Sequence, residues 1–189
     1  VQNLVSRGAS IILNDIQRHN LNLLKFVDEL QNLTNGRCQG NLYFSMASHQ
    51  AFGPHFDLHD VFAIHFEGEK VWNIYENIEK SPINHPVFKL SGEERRKRAG
   101  KIIQQVTLKP GDLLYIPRGQ YHDALASQNG AIHIAFGLTY FKSIDVMTSL
   151  WQNFILNEFM RSDIRVNSNK EELQSFLKKL SNELNNLIN

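Results

Sequence analysis

Short apolar stretches of alternating pattern, separated by turn-forming residues, fill most of the first 140 residues and constrain the fold more than any other feature. In residues 40–46, for example, Asn41, Tyr43 and Ser45 share one face, and the apolar residues between them share the other. Further strands are predicted at 7–15, 60–67, 70–76, 101–108, 112–117 and 131–138. Because no helical pattern lies between the strands from residue 40 onward, the sequence favours an antiparallel barrel or a double-sheet jelly roll over a parallel βαβ fold.

The dipeptide Gly68-Glu69 is predicted to form the two-residue turn of a β-hairpin between two of these strands. In that register Glu67 and Lys70 lie opposite each other, and His65 and Trp72 form the next pair on the same face. One interpretation of Lys70 is that it forms an ion pair with Glu67. Such a pair stabilises the fold by less than about 1 kcal/mol if it is exposed.

Helical periodicity is found on both sides of the strands. Residues 20–34 carry apolar side chains at three- and four-residue intervals before Asn35-Gly36, a typical helix end. After Thr139 the strand pattern stops, and a stripe of leucines over 173–187 predicts an amphipathic helix. We therefore expect a mainly β domain with an N-terminal helix over residues 1–140 and a helical segment over 141–189.

Charge and apolar content exclude two classes of function. The chain has 20 Lys and Arg against 19 Asp and Glu, which argues against binding driven by phosphate neutralisation. The basic residues Arg95 to Arg98 and Lys101 are not interleaved with aromatics, so no direct nucleic-acid binding is expected. They are interpreted as a solvated helix face, with contact to an acidic partner as the alternative. Apolar runs are shorter than the about 18 residues of a membrane span.

The single cysteine, Cys38, excludes an intramolecular disulfide framework and a thiolate zinc site. A metal bound here would therefore have nitrogen and oxygen ligands, and the chain has eight histidines. The chain begins at Val1 without a charged segment followed by an apolar one, so a cytoplasmic location is expected.

Two His-x-acid tripeptides provide candidate metal ligands. An Fe(II) site that activates O₂ uses two imidazoles and one carboxylate on one face of an octahedron. On a strand, His-x-acid supplies two of these ligands, because residues two apart project to the same side. His55-Phe56-Asp57 follows a Gly-Pro turn, as a ligand pair at a barrel mouth would. His65-Phe66-Glu67 lies within a strand, which favours a lining or core role for His65.

A second motif, at 109–122, places a short apolar strand between two turns and brings His122 to the start of the next segment. Its core, Gly-Asp-x-Leu-Tyr-Ile-Pro-x-Gly-x-x-His at 111–122, resembles the second signature of cupin barrels. Residues 53–72 resemble the first signature of JmjC-type oxygenases, above all the ribosomal-oxygenase-like branch that hydroxylates ribosomal proteins. The similarity extends over roughly residues 4–140, and the helices that follow resemble the dimerisation elements of that branch.

This resemblance implies a double-stranded β-helix and an Fe(II)- and 2-oxoglutarate-dependent dioxygenase. It matches His55, Asp57 and His122 to the three iron ligands, and Lys70 to the partner of the distal carboxylate of 2-oxoglutarate. Further candidates for contact with this cosubstrate are Asn41, Tyr43 and His133. Barrel lining is the alternative for the first two, and a core role is the alternative for His133, which lies in a segment that lacks the serine found in some relatives.

The implied reaction consumes O₂, decarboxylates 2-oxoglutarate to succinate and CO₂, and hydroxylates a side chain of a protein or peptide such as a ribosomal protein. Histone demethylation fits this branch less well. The alternatives are a small-molecule oxygenase of natural-product metabolism and a metal-binding cupin module without turnover. Retention of all three ligands together with Lys70 argues against the latter. A homodimer formed through the C-terminal helices is also expected.

Overall fold

A computed structural model describes residues 9–46, 52–164 and 170–188. The chain divides into two compact units, residues 1–140 and 141–189. The described part of the first unit contains six strands: β1 (Ile11–Leu13), β2 (Arg37–Ser45), β3 (Asp60–Ile78), β4 (Ile102–Leu108), β5 (Leu113–Ile116) and β6 (Gln120–Thr139). All of their pairings are antiparallel. The mainly β architecture predicted from the alternating pattern is therefore confirmed.

Two helices flank the strands in this unit. Helix α1 (Leu21–Thr34) begins where the Asn20 side chain accepts hydrogen bonds from two backbone amides, and it ends at Asn35, whose φ of 54° is left-handed. Helix α2 (Gly92–Ala99) begins with a capping box between Ser91 and Glu94. Its arginines are largely exposed, and Arg98 forms an ion pair of 3.5 Å with Glu79.

The two longest strands, β3 and β6, form the central ribbon of one six-stranded sheet among the described residues. Residues 60–65 of β3 pair with 133–138 of β6 and with β5, and β2 extends this sheet on the other side of β6. Residues 70–78 of β3 pair with 120–126 of β6 and with β4. The register shifts between these two halves, next to Gly68 and Lys70. The two halves of this ribbon thus have different neighbouring strands, β2 and β5 at one end and β4 at the other.

The predicted hairpin at Gly68-Glu69 is wrong. Gly68 has a φ of 67°, but it forms a bulge rather than a turn, because β6 continues to pair with β3 on both sides of it. Gly68 packs so closely on the Gly130 carbonyl that there is no room for a side chain. Lys70 consequently pairs with Ala126 and Leu108 instead of Glu67. Two of the predicted strands are therefore one, and the last strand begins at Gln120, earlier than expected.

The core of this unit consists of two clusters. In the first, Val27 of α1 packs against Cys38, Ile134, Phe136 and Leu138. The second contains Val61, Ala63, Trp72, Leu108 and Ile116, from β3, β4 and β5. Burial of each large apolar side chain contributes about 1.5–3 kcal/mol to stability. Because Val61 and Trp72 also line a cavity, the second cluster forms part of its wall.

The described part of the second unit is helical. It contains α3 (Ser143–Ser149), α4 (Trp151–Leu156) and α5 (Lys170–Ile188). The rings of Phe159 and Phe176 lie 5.8 Å apart, and the Asn157 amide donates a hydrogen bond of 3.1 Å to Glu183. Across the ranges that the structure describes, we find no helix with the length and apolar content needed to span a membrane.

Candidate metal centre

The structure brings His55, Asp57 and His122 together at one end of the barrel. One potential ligand atom from each lies within 4.8 Å of the others. His122 Nε2 is 3.5 Å from Asp57 Oδ2, and the two imidazole rings have centroids 4.4 Å apart. His122 is buried, whereas His55 and Asp57 are partly exposed. The cluster is therefore buried at His122 and accessible to solvent at His55 and Asp57.

Backbone hydrogen bonds fix this arrangement. His55 and His122 exchange two hydrogen bonds between their main chains, of 3.0 and 2.8 Å, and so form an isolated antiparallel bridge. Gly119 donates to the Asp57 carbonyl at 3.0 Å and has a φ of 86°, which favours glycine. The turn before β6 therefore holds the segment of His55 and Asp57 beside His122.

The two imidazoles are oriented as metal ligands are. Nδ1 of His122 lies 2.9 Å from the Gln120 carbonyl, and Nδ1 of His55 lies 3.0 Å from the Gly53 carbonyl. A carbonyl oxygen only accepts, so each contact places a proton on Nδ1 and leaves Nε2 as the nitrogen that binds a metal when the ring is neutral. Burial, followed by the charge of His55, lowers the pKa of His122 and favours its neutral, metal-binding form. Two imidazoles and a carboxylate fit Fe(II).

A cavity of about 230 Å³ extends from the three residues into the barrel. All the candidate site residues predicted from the sequence line it: Asn41, Tyr43, His55, Asp57, Lys70, His122 and His133. The cavity also contacts Ser45, Phe52, His59 and Trp72. The strand assignment around Lys70 was incorrect, but its side chain points into the same cavity as the histidines.

Lys70 is a buried cation in this cavity. It is 7% exposed, and its ammonium donates a hydrogen bond of 2.9 Å to Ser45 Oγ. No ion pair joins it to a carboxylate within the described ranges, so the alternative pairing with Glu67 is wrong. Burial lowers the pKa of Lys70 to about 8. A buried ammonium without an anion is costly, and a carboxylate ligand would stabilise it.

The other three candidates lie beside Lys70 and the histidines. Tyr43 stacks on His133 with centroids 4.8 Å apart, and burial, followed by the charge of Asp57, raises its pKa. Asn41 Oδ1 accepts a hydrogen bond from the backbone of Asp15 at 3.2 Å. His133 is buried, and its Nδ1 has no hydrogen-bond partner among the described residues. Both Tyr43 and His133 thus form part of the cavity wall.

The lining residues that were not among the sequence candidates include Ser45, Trp72 and His59. Ser45 shares the face of Asn41 and Tyr43 in β2, so strand periodicity could have identified it. Trp72 follows Lys70 on the same face of β3, and its indole lies 6.1 Å from the His122 ring. His59 lies outside both His-x-acid tripeptides, and its ring fills the space left by the absent side chain of Gly137. That contact depends on two distant segments, and no local pattern indicates it.

Comparison with known proteins identifies similar chains. The JmjC domain family matches residues 13–146. Ribosomal oxygenase 2 of Bos taurus is 30% identical over 162 residues, which are 82% of this chain and 31% of the relative. The bifunctional lysine-specific demethylase and histidyl-hydroxylase NO66 of Dictyostelium discoideum is 36% identical over 129 residues, 67% of this chain and 24% of the relative. The chain thus spans a third or less of these relatives.

A solved structure shows the same fold. It is YcfD, a ribosomal oxygenase from Escherichia coli, in complex with cobalt and 2-oxoglutarate. The TM-score is 0.65 at 19% sequence identity, and the match covers 93% of this chain and 46% of YcfD. The predicted double-stranded β-helix is therefore confirmed.

Proposed function

The chain belongs to the JmjC domain family, and from this membership we propose that it is an Fe(II)- and 2-oxoglutarate-dependent dioxygenase that hydroxylates a side chain of a protein or peptide. The observation that carries the proposal is the placement of a His-Asp-His cluster and a buried lysine in one cavity. The cluster suits Fe(II), and the lysine suits a carboxylate of the cosubstrate. The complex of YcfD with cobalt and 2-oxoglutarate supports this choice.

In this proposal His55, Asp57 and His122 hold Fe(II) and leave the remaining coordination positions open. The bound iron supplies the redox chemistry, in which O₂ and 2-oxoglutarate give succinate, CO₂ and an oxidised C–H bond of the substrate. The protein contributes ligation, orientation and the exclusion of water. The Gln120 and Gly53 carbonyls maintain the imidazole orientation that ligation needs.

The other polar residues of the cavity bind and orient the cosubstrate. Lys70 pairs with its distal carboxylate, while the hydrogen bond to Ser45 holds the ammonium in place. Tyr43, Asn41 and His133 line the same cavity as Lys70 and the metal ligands. Burial lowers the pKa of His133, so its ring is a neutral neighbour of the cosubstrate.

A protein or peptide side chain is the substrate class that the relatives support. The mammalian relative is named a ribosomal oxygenase, and the NO66 relatives are named both demethylases and histidyl-hydroxylases. We propose hydroxylation of a ribosomal-protein-like substrate, since the resemblance in the two motifs is to that branch. Hydroxylation adds one oxygen atom to the product, whereas demethylation removes a methyl group from it.

The test of this function is a turnover assay with the full chain. We expect Fe(II) and 2-oxoglutarate to give succinate, and a ribosomal-protein fraction to accelerate its release. Intact-mass spectrometry of that fraction should show the gain of one oxygen atom. Loss of a methyl group instead would identify a demethylase, and metal binding without succinate under any condition would identify a non-catalytic module.

The two units have separate roles in this proposal. Residues 1–140 form the catalytic barrel, and residues 141–189 mediate homodimerisation through α5. The stripe on α5 supports this role, because Leu173 and Leu177 are 45% and 50% exposed. Sedimentation should show a dimer at micromolar protein concentration, and a monomer would contradict the proposal. A cytoplasmic location is the remaining part of the proposal, and one buried cysteine, Cys38, is compatible with it.

A further inference from the structure

Trp72 occupies a central place in the wall of the cavity. Its indole lies roughly parallel to the ring of the candidate ligand His122, at 6.1 Å between centroids. The Lys70 ammonium is 5.8 Å from the centroid of the same indole, and the His133 ring meets it edge to face at 5.5 Å. One side chain thus contacts both the metal end and the cation end of the cavity.

A hydrogen bond from the indole to His65 holds the indole in place. Its Nε1–H donates a hydrogen bond of 3.1 Å to His65 Nε2, and the two residues are 5% and 1% exposed. His65 does not line the cavity, so its ring reaches the site only through its neighbours. Since the indole N–H is a donor only, Nε2 must be the unprotonated nitrogen of a neutral ring. Burial, which lowers the pKa of His65 to about 4, favours that neutral form.

The surroundings of His65 suggest a specific function for its position. Its other ring nitrogen, Nδ1, is buried and has no hydrogen-bond partner among the described residues. An apolar residue would avoid the cost of burying that unpaired group. The position nevertheless holds a side chain whose one hydrogen bond among the described residues is to Trp72. Its ring also stacks on His133 at 5.2 Å between centroids, an apolar contact that does not need the ring nitrogens. The hydrogen bond to the indole is therefore what distinguishes a histidine at this position.

We propose that His65 is a positioning residue for the metal centre, which acts by fixing the indole of Trp72 beside the imidazole of His122. An indole that turns freely would leave His122 with unfilled space next to its ring. The ring could then move away from the geometry that ligation needs. This inference rests on the proposed metal centre and extends it to a residue outside the cavity.

The test compares His65→Gln with His65→Met, two side chains of similar length and volume. Only glutamine provides an oxygen that can accept the indole N–H. We expect His65→Met to weaken the binding of Co(II) alone by about tenfold, the lower end for outer-shell partners, and His65→Gln to remain within about threefold of the unmodified chain. Equal Co(II) affinity for methionine, glutamine and histidine would overturn the proposal.

Two further measurements separate positioning from a general effect on folding. The chain has two tryptophans, so Trp151→Phe leaves the fluorescence of Trp72 alone. In that background we expect faster indole motion, seen as faster decay of anisotropy, for His65→Met than for His65→Gln. Trp72→Phe removes the indole N–H, which is the donor of the same hydrogen bond. His65→Met should then have no further effect on Co(II) affinity, and additive effects of the two substitutions would contradict the proposal.

The design remains informative if His65→Met does not fold. Trp72→Phe alone should then weaken Co(II) binding, and His65→Gln should not weaken it further in that background. A chain that binds no Co(II) even without substitution would refute the proposed metal centre. Normal Co(II) binding that is insensitive to all of these substitutions would refute only the role of His65.

Discussion

Replacement of Asp57 by alanine is expected to abolish succinate release and to weaken Co(II) binding by more than about a hundredfold. Loss of an outer-shell partner costs about 10–100-fold in metal affinity, so loss of a ligand should exceed that range. The remaining histidines provide two nitrogen donors and no charge, and Asp57 is the carboxylate of the described cluster. Co(II) titration and succinate release should therefore fail together in this variant.

The second His-x-acid motif supplies the matched control for this experiment. Glu67 has the same sequence relation to His65 as Asp57 has to His55, but its side chain is exposed and is not part of the described cluster. Glu67→Ala should keep both Co(II) affinity and turnover. Turnover that survives in Asp57→Ala, or that is lost in Glu67→Ala, would show that the ligand assignment is incorrect.

The contrast between the two motifs also shows what a sequence can establish about this site. Both tripeptides have the spacing that places two side chains on one face of a strand. The turn before His55 and the motif that ends at His122 distinguished them, because barrel ligands lie where segments enter and leave strands. Distances among the three groups could not be predicted, since they depend on the bridge between His55 and His122.

The error at Gly68 has a physical origin. Glycine with positive φ occurs both in two-residue hairpin turns and in bulges, and the local sequence is the same for both. Here β6 pairs with β3 on either side of Gly68, which keeps the chain extended. A long-range partner thus decided between two conformations that the dipeptide alone permits. The same long pairing places Lys70 in the cavity and joins Trp72 to His65.

Lys70→Met is expected to raise the KM for 2-oxoglutarate by about a hundredfold or more, with a much smaller effect on kcat. Breaking a buried ion pair by removal of one partner costs about 3–5 kcal/mol, because the other charge stays buried and unpaired. Lys109 provides the control, since it pairs with Glu69 at 3.4 Å and is largely exposed. Lys109→Met should leave the KM nearly unchanged. An unchanged KM in Lys70→Met would contradict the proposed role of this lysine.

The pH dependence offers a second readout of the same contact. Burial lowers the pKa of Lys70 from 10.5 to about 8 in the ligand-free chain. Below that value the side chain is an ammonium and binds the dicarboxylate. As the pH rises through it, an increasing fraction is neutral, and the affinity for 2-oxoglutarate should fall. Lys70→Met should lose this dependence, and a 2-oxo acid without a distal carboxylate should bind the unmodified chain weakly at every pH. Equal affinity for the two acids below pH 8, where Lys70 is charged, would mean that Lys70 does not bind the distal carboxylate.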